Sequence, residues 1–112
     1  MYYFKCIFLD GCSYCIKANQ LLSKYNIKYT FETVNYEESH KFITDKISTF
    51  PQIYLIKEGS KGSLLIGGYD NLNELFTLFY KKKYDSDNVT LIMNKYGYSK
   101  KIVLRLIQLL NN

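Results

Sequence analysis

Two cysteines three positions apart, Cys12 and Cys15, follow an apolar, aromatic-rich segment, Tyr2–Leu9, and open a helical pattern over residues 13–25. The apolar segment has the β-branched and aromatic enrichment of a buried strand. A strand followed by a C-x-x-C at the start of a helix leaves few folds open. The two thiols then lie one turn apart, at the helix end whose backbone N–H groups lack partners.

This position predicts thiol chemistry. Free N–H groups and the positive helix end stabilise a thiolate at Cys12, and Cys15 is close enough to attack a mixed disulfide formed there. A zinc site would need two more ligands, and only Cys6 and His40 remain, with Cys6 inside the predicted strand. The pattern therefore favours a redox dithiol with no metal. We expect Cys6 to be a buried thiol and His40 a surface residue of a helix.

The composition limits the function classes. The 112 residues, 47% of them hydrophobic, suit one small domain. A net charge of +5 is below that of a dedicated nucleic-acid binder. The first residues lack a basic leader, and no apolar stretch approaches the ~20 residues of a membrane span. We expect a cytoplasmic monomer with neither a membrane nor a nucleic-acid partner.

Further along the chain, apolar periodicity predicts alternating strands and helices. Ile16, Leu21 and Leu22 mark the buried face of the first helix, and Phe42 and Ile43 that of the second. The order β-α-β-α-β-β-α predicts an α/β, thioredoxin-like fold of three layers (α/β/α) around a mixed four-stranded sheet. The elements after the first helix are a strand over 28–34, a helix over 37–47, a strand over 52–56, a strand over 63–66 and a helix over 71–80.

The C-terminal segment predicts a helical extension, either two short amphipathic helices or one helix broken at Gly97. A capping cluster begins at Asp85, and the apolar residues at helical spacing that follow it stop at Gly97. Ser99 can cap a second helix over 100–110. No linker-like stretch precedes this segment. We therefore predict one domain over residues 1–112, with a core of about 1–83 and an extension of about 85–112.

Three motifs in order carry a family resemblance: C-S-Y-C at 12–15, T-F-P-Q-I-Y at 49–54 and G-G-Y-D-N-L at 67–72. Together, on these elements, they resemble glutaredoxin over about residues 1–83. The resemblance implies a thiol–disulfide oxidoreductase that uses glutathione as co-substrate. Its substrates would be protein disulfides or glutathione mixed disulfides, with Cys12 as nucleophile and Cys15 as resolving thiol.

The resemblance also implies a glutathione site. Pro51 is similar to the family's cis-proline, which leaves the backbone of Phe50 free to pair with an extended peptide. Asp70 with Asn71 is similar to the pair that holds the γ-glutamyl end, and Tyr14 to a partly exposed aromatic at the groove. The implied glutathione-binding residues are Tyr14, Thr49, Phe50, Pro51, Gly68, Asp70 and Asn71.

Two departures from the family keep alternatives open. Leu9 stands where many glutaredoxins carry a lysine that meets the glycine carboxylate of glutathione; Lys17, Lys41 or Lys46 could substitute for it. One alternative is therefore a glutaredoxin-like thioredoxin reduced by thioredoxin reductase. Ser13 stands where proline is more frequent, and serine variants include dimers that bridge a glutathione-ligated [2Fe–2S] cluster, a second alternative.

The residue usage bears on the source. Fourteen Lys against one Arg, with many Ile, Asn and Tyr, is typical of an A/T-rich genome. It suits a large DNA virus or a low-GC unicellular eukaryote. For a virus, the location would be the host cytoplasm or the virion, and ribonucleotide reductase would be a candidate client.

Overall fold

The computed structural model describes all 112 residues and contains four strands, four α-helices and one 3₁₀ turn. No helix combines the length and the apolar character needed to cross a membrane. The elements in chain order are β1 (Tyr2–Leu9), α1 (Ser13–Lys24), β2 (Tyr29–Val34), the 3₁₀ turn (Ser39–Phe42), β3 (Gln52–Lys57), β4 (Ser63–Gly67), α2 (Tyr69–Phe79), α3 (Ser86–Tyr96) and α4 (Lys100–Leu110).

The four strands form one mixed sheet in the order β2-β1-β3-β4. β1 pairs in parallel with β2 and antiparallel with β3, so Cys6 lies between Phe31 on one side and Ile53 on the other. β3 and β4 form an antiparallel pair whose register shifts between Ile53 and Tyr54. This sheet and the helices confirm the predicted thioredoxin-like α/β fold.

The buried face of α1 differs from the prediction. Cys15, Ala18 and Leu22 are buried at i, i+3 and i+7, while Ile16 is 54% exposed. Leu22 was predicted correctly. The prediction that Ile16 is buried was wrong, because it rested on hydrophobicity alone. The smaller Cys15 and Ala18 have the spacing that defines the buried stripe.

The helix predicted over 37–47 is also wrong, since only the four-residue 3₁₀ turn Ser39–Phe42 forms there. Side chains take up the backbone groups that a helix would use. The Ser39 hydroxyl donates to the Tyr36 carbonyl at 2.7 Å, and the Thr44 hydroxyl accepts from the Ile47 N–H at 3.1 Å. Such local bonds compete with helical ones. Ile43, predicted to be buried, is 48% exposed.

The C-terminal helices agree with the prediction. Asp85 caps α3 by accepting from the Asp87 N–H at 2.9 Å, and Ser99 caps α4 by accepting from Ile102. Gly97, in the left-handed conformation, ends α3. The buried residues of α3 and α4 are Val89, Ile92, Val103, Leu106, Leu109 and Leu110.

The chain consists of two compact units, Met1–Asn73 and Glu74–Asn112. Their boundary falls inside α2, which begins two residues earlier than predicted, at Tyr69. Within the second unit, the carboxylate of Glu74 accepts from Lys95 at 2.7 Å and from the Tyr96 hydroxyl at 2.6 Å. The organisation as a single domain stays a prediction.

Candidate active site

The turn between β1 and α1 fixes the position of Cys12. Gly11 has φ +76°, a backbone conformation that side chains with a Cβ rarely adopt, and the Cys12 N–H donates to the Leu9 carbonyl at 3.1 Å. Cys12 is the N-cap of α1, and its sulfur accepts from the Cys15 N–H at 3.3 Å. The sulfur therefore occupies the place of a capping oxygen, where the helix stabilises negative charge.

Cys15 is the buried partner, with 3% of its surface exposed. Its sulfur accepts from the Leu9 N–H at 3.4 Å. Burial, and then a side-chain hydrogen bond to Cys12, raises the pKa of the Cys15 thiol to about 12, although the bond from Leu9 acts in the opposite direction. Cys15 therefore holds its proton at neutral pH in the reduced chain, beside a half-buried Cys12.

The segment before β3 lies against the dithiol. The Cys12 thiol is 3.7 Å from the Phe50 carbonyl oxygen. The peptide bond between Phe50 and Pro51 is cis, as the resemblance to glutaredoxin implied, and Pro51 is buried. The motif at 49–54 and the C-S-Y-C motif therefore meet at one sulfur atom.

All seven predicted glutathione-binding residues line one groove of about 600 Å³, here called the first groove. Tyr14 is 53% exposed, and its ring lies 5.9 Å from that of Tyr69 at the groove wall. Sequence reasoning did not single out Tyr69, although it stands between Gly68 and Asp70 of the third motif. The other lining residues are Lys46, Ile47, Ser48, Leu65 and Gly67.

Two adjacent glycines, Gly67 and Gly68, line the first groove. Gly67 has φ +131°, and a Cβ there would lie 2.2 Å from the Asn71 side-chain oxygen. That oxygen accepts from the Gly68 N–H at 3.0 Å, and the Gly68 carbonyl accepts from Leu72 in the first turn of α2. Asn71 therefore braces the start of α2 as in a capping box.

Two charges of opposite sign, Lys46 and Asp70, line the first groove. The other two lysines that could replace the one missing at position 9 are not among the residues that line this groove. Lys17 stands over the Tyr14 ring, 5.1 Å from its centre. Lys41 forms an ion pair with Glu38 and lines a different cavity.

A second groove, of about 730 Å³, contains Cys12 itself. The two grooves share Ser48, Thr49 and Phe50 as a common wall. The second groove also takes residues from the segment predicted to be helical, which is why sequence reasoning missed it. Its remaining lining residues are Leu9, Tyr36, Glu37, Ser39, His40 and Ile43.

The third cysteine, Cys6, is buried in β1 as predicted. Burial and, to a smaller extent, the nearby Cys15 raise the pKa of its thiol to about 12. None of the three cysteines forms a disulfide. No group of three or more His, Cys, Asp or Glu side chains comes together as a metal site, and His40 is exposed, with Nδ1 2.9 Å from the Glu37 carbonyl oxygen.

Comparison with known proteins agrees with this geometry. The glutaredoxin family model matches residues 1–59, which include Cys12, Cys15 and Pro51. The chain is 38% identical to glutaredoxin 1 of Rickettsia prowazekii over 72 residues, which is 60% of this chain and 70% of that protein. The crystal structure of glutaredoxin 1 from Francisella tularensis complexed with cacodylate is similar with a TM-score of 0.54 and 26% identity, over 66% of this chain and 91% of that one. The chain belongs to the glutaredoxin family of thiol–disulfide oxidoreductases.

Proposed function

We propose that the chain is a dithiol glutaredoxin that uses glutathione to reduce protein disulfides and glutathione mixed disulfides. One observation supports this most: the residues implied for glutathione line a single groove, and one of them, Phe50, contacts the Cys12 sulfur at 3.7 Å. A substrate sulfur bonded to Cys12 is then at the edge of that groove.

The first half of the reaction oxidises the enzyme. The Cys12 thiolate attacks one sulfur of the client disulfide, a new bond to Cys12 forms, and the second client sulfur leaves as a thiolate and takes up a proton. Cys15 loses its proton and attacks the Cys12 sulfur. This step closes the Cys12–Cys15 disulfide and releases the first client thiol, so the client has gained two electrons and two protons.

The second half uses two molecules of glutathione. The first attacks the Cys12 sulfur, forms a mixed disulfide there and releases Cys15, which regains its proton. The second attacks the glutathione sulfur of that mixed disulfide, so glutathione disulfide leaves and the Cys12 thiolate is restored. The client in the first half and glutathione in the second are both bonded to Cys12, and Cys15 stays buried.

Charge complementarity supports glutathione as the small substrate. Glutathione carries one ammonium group and two carboxylates, and the first groove offers Asp70, Lys46 and the N-terminus of α2. Asp70 suits the ammonium, Lys46 the glycine carboxylate, and the helix N-terminus the γ-glutamyl carboxylate. In this assignment Lys46 takes over from the lysine that the family often carries at the position of Leu9.

The test is the reduction of hydroxyethyl disulfide with glutathione, glutathione reductase and NADPH, beside a parallel reaction with thioredoxin reductase. We expect turnover in the first reaction and its loss in Cys12→Ser. Because position 9 lacks a lysine, the reaction with thioredoxin reductase tests the main alternative, a glutaredoxin-like thioredoxin. Turnover only in that arm, or turnover that survives Cys12→Ser, contradicts the proposal.

A further inference from the structure

We propose that a cavity on one face of the sheet binds a free nucleoside monophosphate, that is, a phosphate monoester joined to a flat aromatic base. This cavity, here called the third cavity, has a volume of about 500 Å³. It is lined by residues of the sheet, by Lys41, Phe42 and Thr44, and by residues 60–63. It shares no lining residue with the first or the second groove, so the proposal is independent of thiol exchange at Cys12.

The floor of the third cavity is formed by β1 and β3. Side chains alternate between the two faces of a strand, so paired residues of these strands lie together on one face. The pairs are Tyr3 with Ile56, Lys5 with Tyr54 and Ile7 with Gln52. At one end Ile7 and Gln52 are buried, and the Gln52 amide donates to the Phe42 carbonyl at 2.7 Å. Further along, Lys5 is exposed and Tyr54 is half-buried, which leaves both side chains accessible to a ligand.

The charges of the third cavity favour an anion. Three lysines line it, Lys5, Lys41 and Lys61. Lys41 forms an ion pair with Glu38, whereas Lys5 and Lys61 form no ion pair with a carboxylate of the chain. These two lysines outnumber the one acidic lining residue, Glu32. A phosphate monoester, with close to two negative charges at neutral pH, suits a pair of free ammonium groups.

The loop that carries Lys61 adds hydroxyl groups. Ser60 and Ser63 line the third cavity together with Lys61. The loop is held by its own hydrogen bonds, because the Ser60 N–H donates to the Lys57 carbonyl at 3.0 Å and the Ser60 hydroxyl accepts from the Gly62 N–H at 3.3 Å. Each serine hydroxyl still has a hydrogen to donate. An ammonium group and two hydroxyls on one short loop suit the oxygens of a phosphate, so we assign the phosphate to this loop.

The aromatic side chains of the floor suit the base. Tyr54 lies directly opposite Lys5 in the β1–β3 pair, and nucleic-acid bases of every kind stack on aromatic rings. The Tyr54 hydroxyl donates to the Gln52 side-chain oxygen at 3.1 Å, which restricts the orientation of the ring. The Gln52 amide nitrogen carries two hydrogens, and one of them donates to Phe42. The other is available to an acceptor atom of the base.

The dimensions favour one free nucleotide over a nucleic-acid strand. The third cavity is bounded by Phe42 beside Gln52 and by Ser63 beside Ile56, its partner in the β3–β4 pair. Gln52 and Ile56 are four residues apart, which is about 13 Å along a strand. A bounded site of this length suits one nucleotide, whereas a single strand needs a basic groove that follows its backbone further.

The experiment is equilibrium dialysis of radiolabelled adenosine monophosphate against the full, reduced chain at low salt. Unlabelled adenosine and inorganic phosphate are the competitors, since each carries one of the two matched parts. We expect adenosine monophosphate to bind with a Kd below about 1 mM. Adenosine and inorganic phosphate should each bind at least about fivefold more weakly, because each loses one set of contacts.

Substitutions then locate the binding site. Lys5→Gln and Lys61→Gln should each raise the Kd roughly three- to tenfold, because each removes a charged partner of the phosphate. Lys57→Gln is the matched control, since Lys57 is an exposed lysine of β3 outside the third cavity. Tyr54→Leu should weaken the binding of adenosine monophosphate and leave that of inorganic phosphate unchanged. Tyr54→Phe keeps the ring and should bind nearly as well as wild type.

Several outcomes overturn the proposal. The first is the absence of saturable binding, and the second is a control, Lys57→Gln, that weakens binding as much as Lys5→Gln and Lys61→Gln do. Inorganic phosphate that binds as tightly as adenosine monophosphate overturns the assignment of the base, and adenosine that does so overturns that of the phosphate. A deoxyadenylate oligonucleotide that binds more tightly, through the same lysines, replaces the free nucleotide with a nucleic-acid partner. The dialysis contains no disulfide and no glutathione, so failure of the proposed oxidoreductase activity would leave its result unchanged.

Discussion

The Cys12 sulfur lies 3.7 Å from the carbonyl oxygen of Phe50, 38 positions further along the chain. In the proposed mechanism Cys12 is the nucleophile and the backbone at Phe50 pairs with the substrate, so this one contact would join bond exchange to substrate binding. Both grooves begin at this contact, one with Lys46 and Asp70 and the other with Tyr36 and Ile43.

Substitution of Cys12 and substitution of Cys15 should have different effects on activity. Cys12→Ser should lower turnover of every disulfide by at least about a hundredfold, because a hydroxyl does not replace a thiolate as nucleophile. Cys15→Ser should keep the reduction of glutathione mixed disulfides, since glutathione itself can regenerate Cys12. It should lose most reduction of protein disulfides, and mass spectrometry should find the client bonded to Cys12. Equal loss of both activities in Cys15→Ser would contradict this division of roles.

Lys46 should contribute to the binding of glutathione. Lys46→Gln is expected to raise the KM for glutathione roughly three- to tenfold with little change in kcat, because it removes a charged partner of the glycine carboxylate. Lys41→Gln is the matched control, since Lys41 pairs with Glu38 outside the first groove. Steady-state kinetics at low salt provides the measurement. A larger change in KM in the control than in Lys46→Gln would reject the assignment.

The buried Cys6 should make the fold sensitive to alkali. Its thiol has a pKa of about 12 in the folded chain against 9.0 as its ordinary value. Stability is therefore complete below about pH 9 and falls as pH rises toward 12, because the unfolded chain releases this proton first. The free energy of unfolding should fall in wild type more steeply than in Cys6→Ala, by about 1.4 kcal/mol per pH unit above pH 9. Urea titrations at pH 7, 9.5 and 10.5 test this, and parallel slopes would refute it.

Gly67 should not tolerate a side chain. An alanine Cβ would meet the Asn71 oxygen at 2.2 Å, and φ is +131°. We expect Gly67→Ala to cost about 1–3 kcal/mol of stability and to weaken glutathione binding, because Asn71 would have to leave the Gly68 N–H. Gly62→Ala is the control, since a Cβ there has no contact closer than 3.8 Å. Thermal unfolding and KM together test this, and a Gly67→Ala chain as stable as its control would contradict it.

Asn111 should stabilise the second unit. Its side-chain nitrogen donates to the Phe79 carbonyl at 2.9 Å, and its oxygen accepts from the Lys81 N–H at 2.6 Å. Asn111→Ala is expected to lower the free energy of unfolding by about 1–2 kcal/mol, because these backbone groups lose their partner. Asn112→Ala, at the exposed neighbouring position, should have almost no effect. Chemical denaturation of the full chain distinguishes the two, and equal effects would exclude the role.

Much of the site could be predicted because its determinants are local in sequence. Cys12 caps α1 by accepting a hydrogen bond from Cys15, three residues further on. Pro51 and Asn71 belong to the short motifs that the sequence shows directly, and both line the first groove. Distance along the chain was no obstacle, since the strand order of a thioredoxin-like fold brings the ends of β1 and β4 to the same region. The seven residues implied for glutathione accordingly line one groove.

The segment between β2 and β3 could not be predicted in this way. Its apolar spacing matched a helix, yet Asn35, Ser39 and Thr44 bind nearby backbone groups through their side chains. The spacing of apolar residues does not reveal that side chains compete for the backbone hydrogen bonds of a helix. The second groove was missed because its lining residues include Tyr36 and Ile43, which lie beside and within the segment that was predicted to be a helix.

Because the three cysteines differ in exposure, their alkylation can measure how much of the chain is unfolded. Cys6 is fully buried, Cys15 is 3% exposed, and the half-buried Cys12 is the most exposed of the three. An alkylating reagent should add one mass increment to each folded, reduced molecule and three to each unfolded one. The distribution of masses after a short pulse therefore counts the unfolded molecules directly, without any label added to the protein.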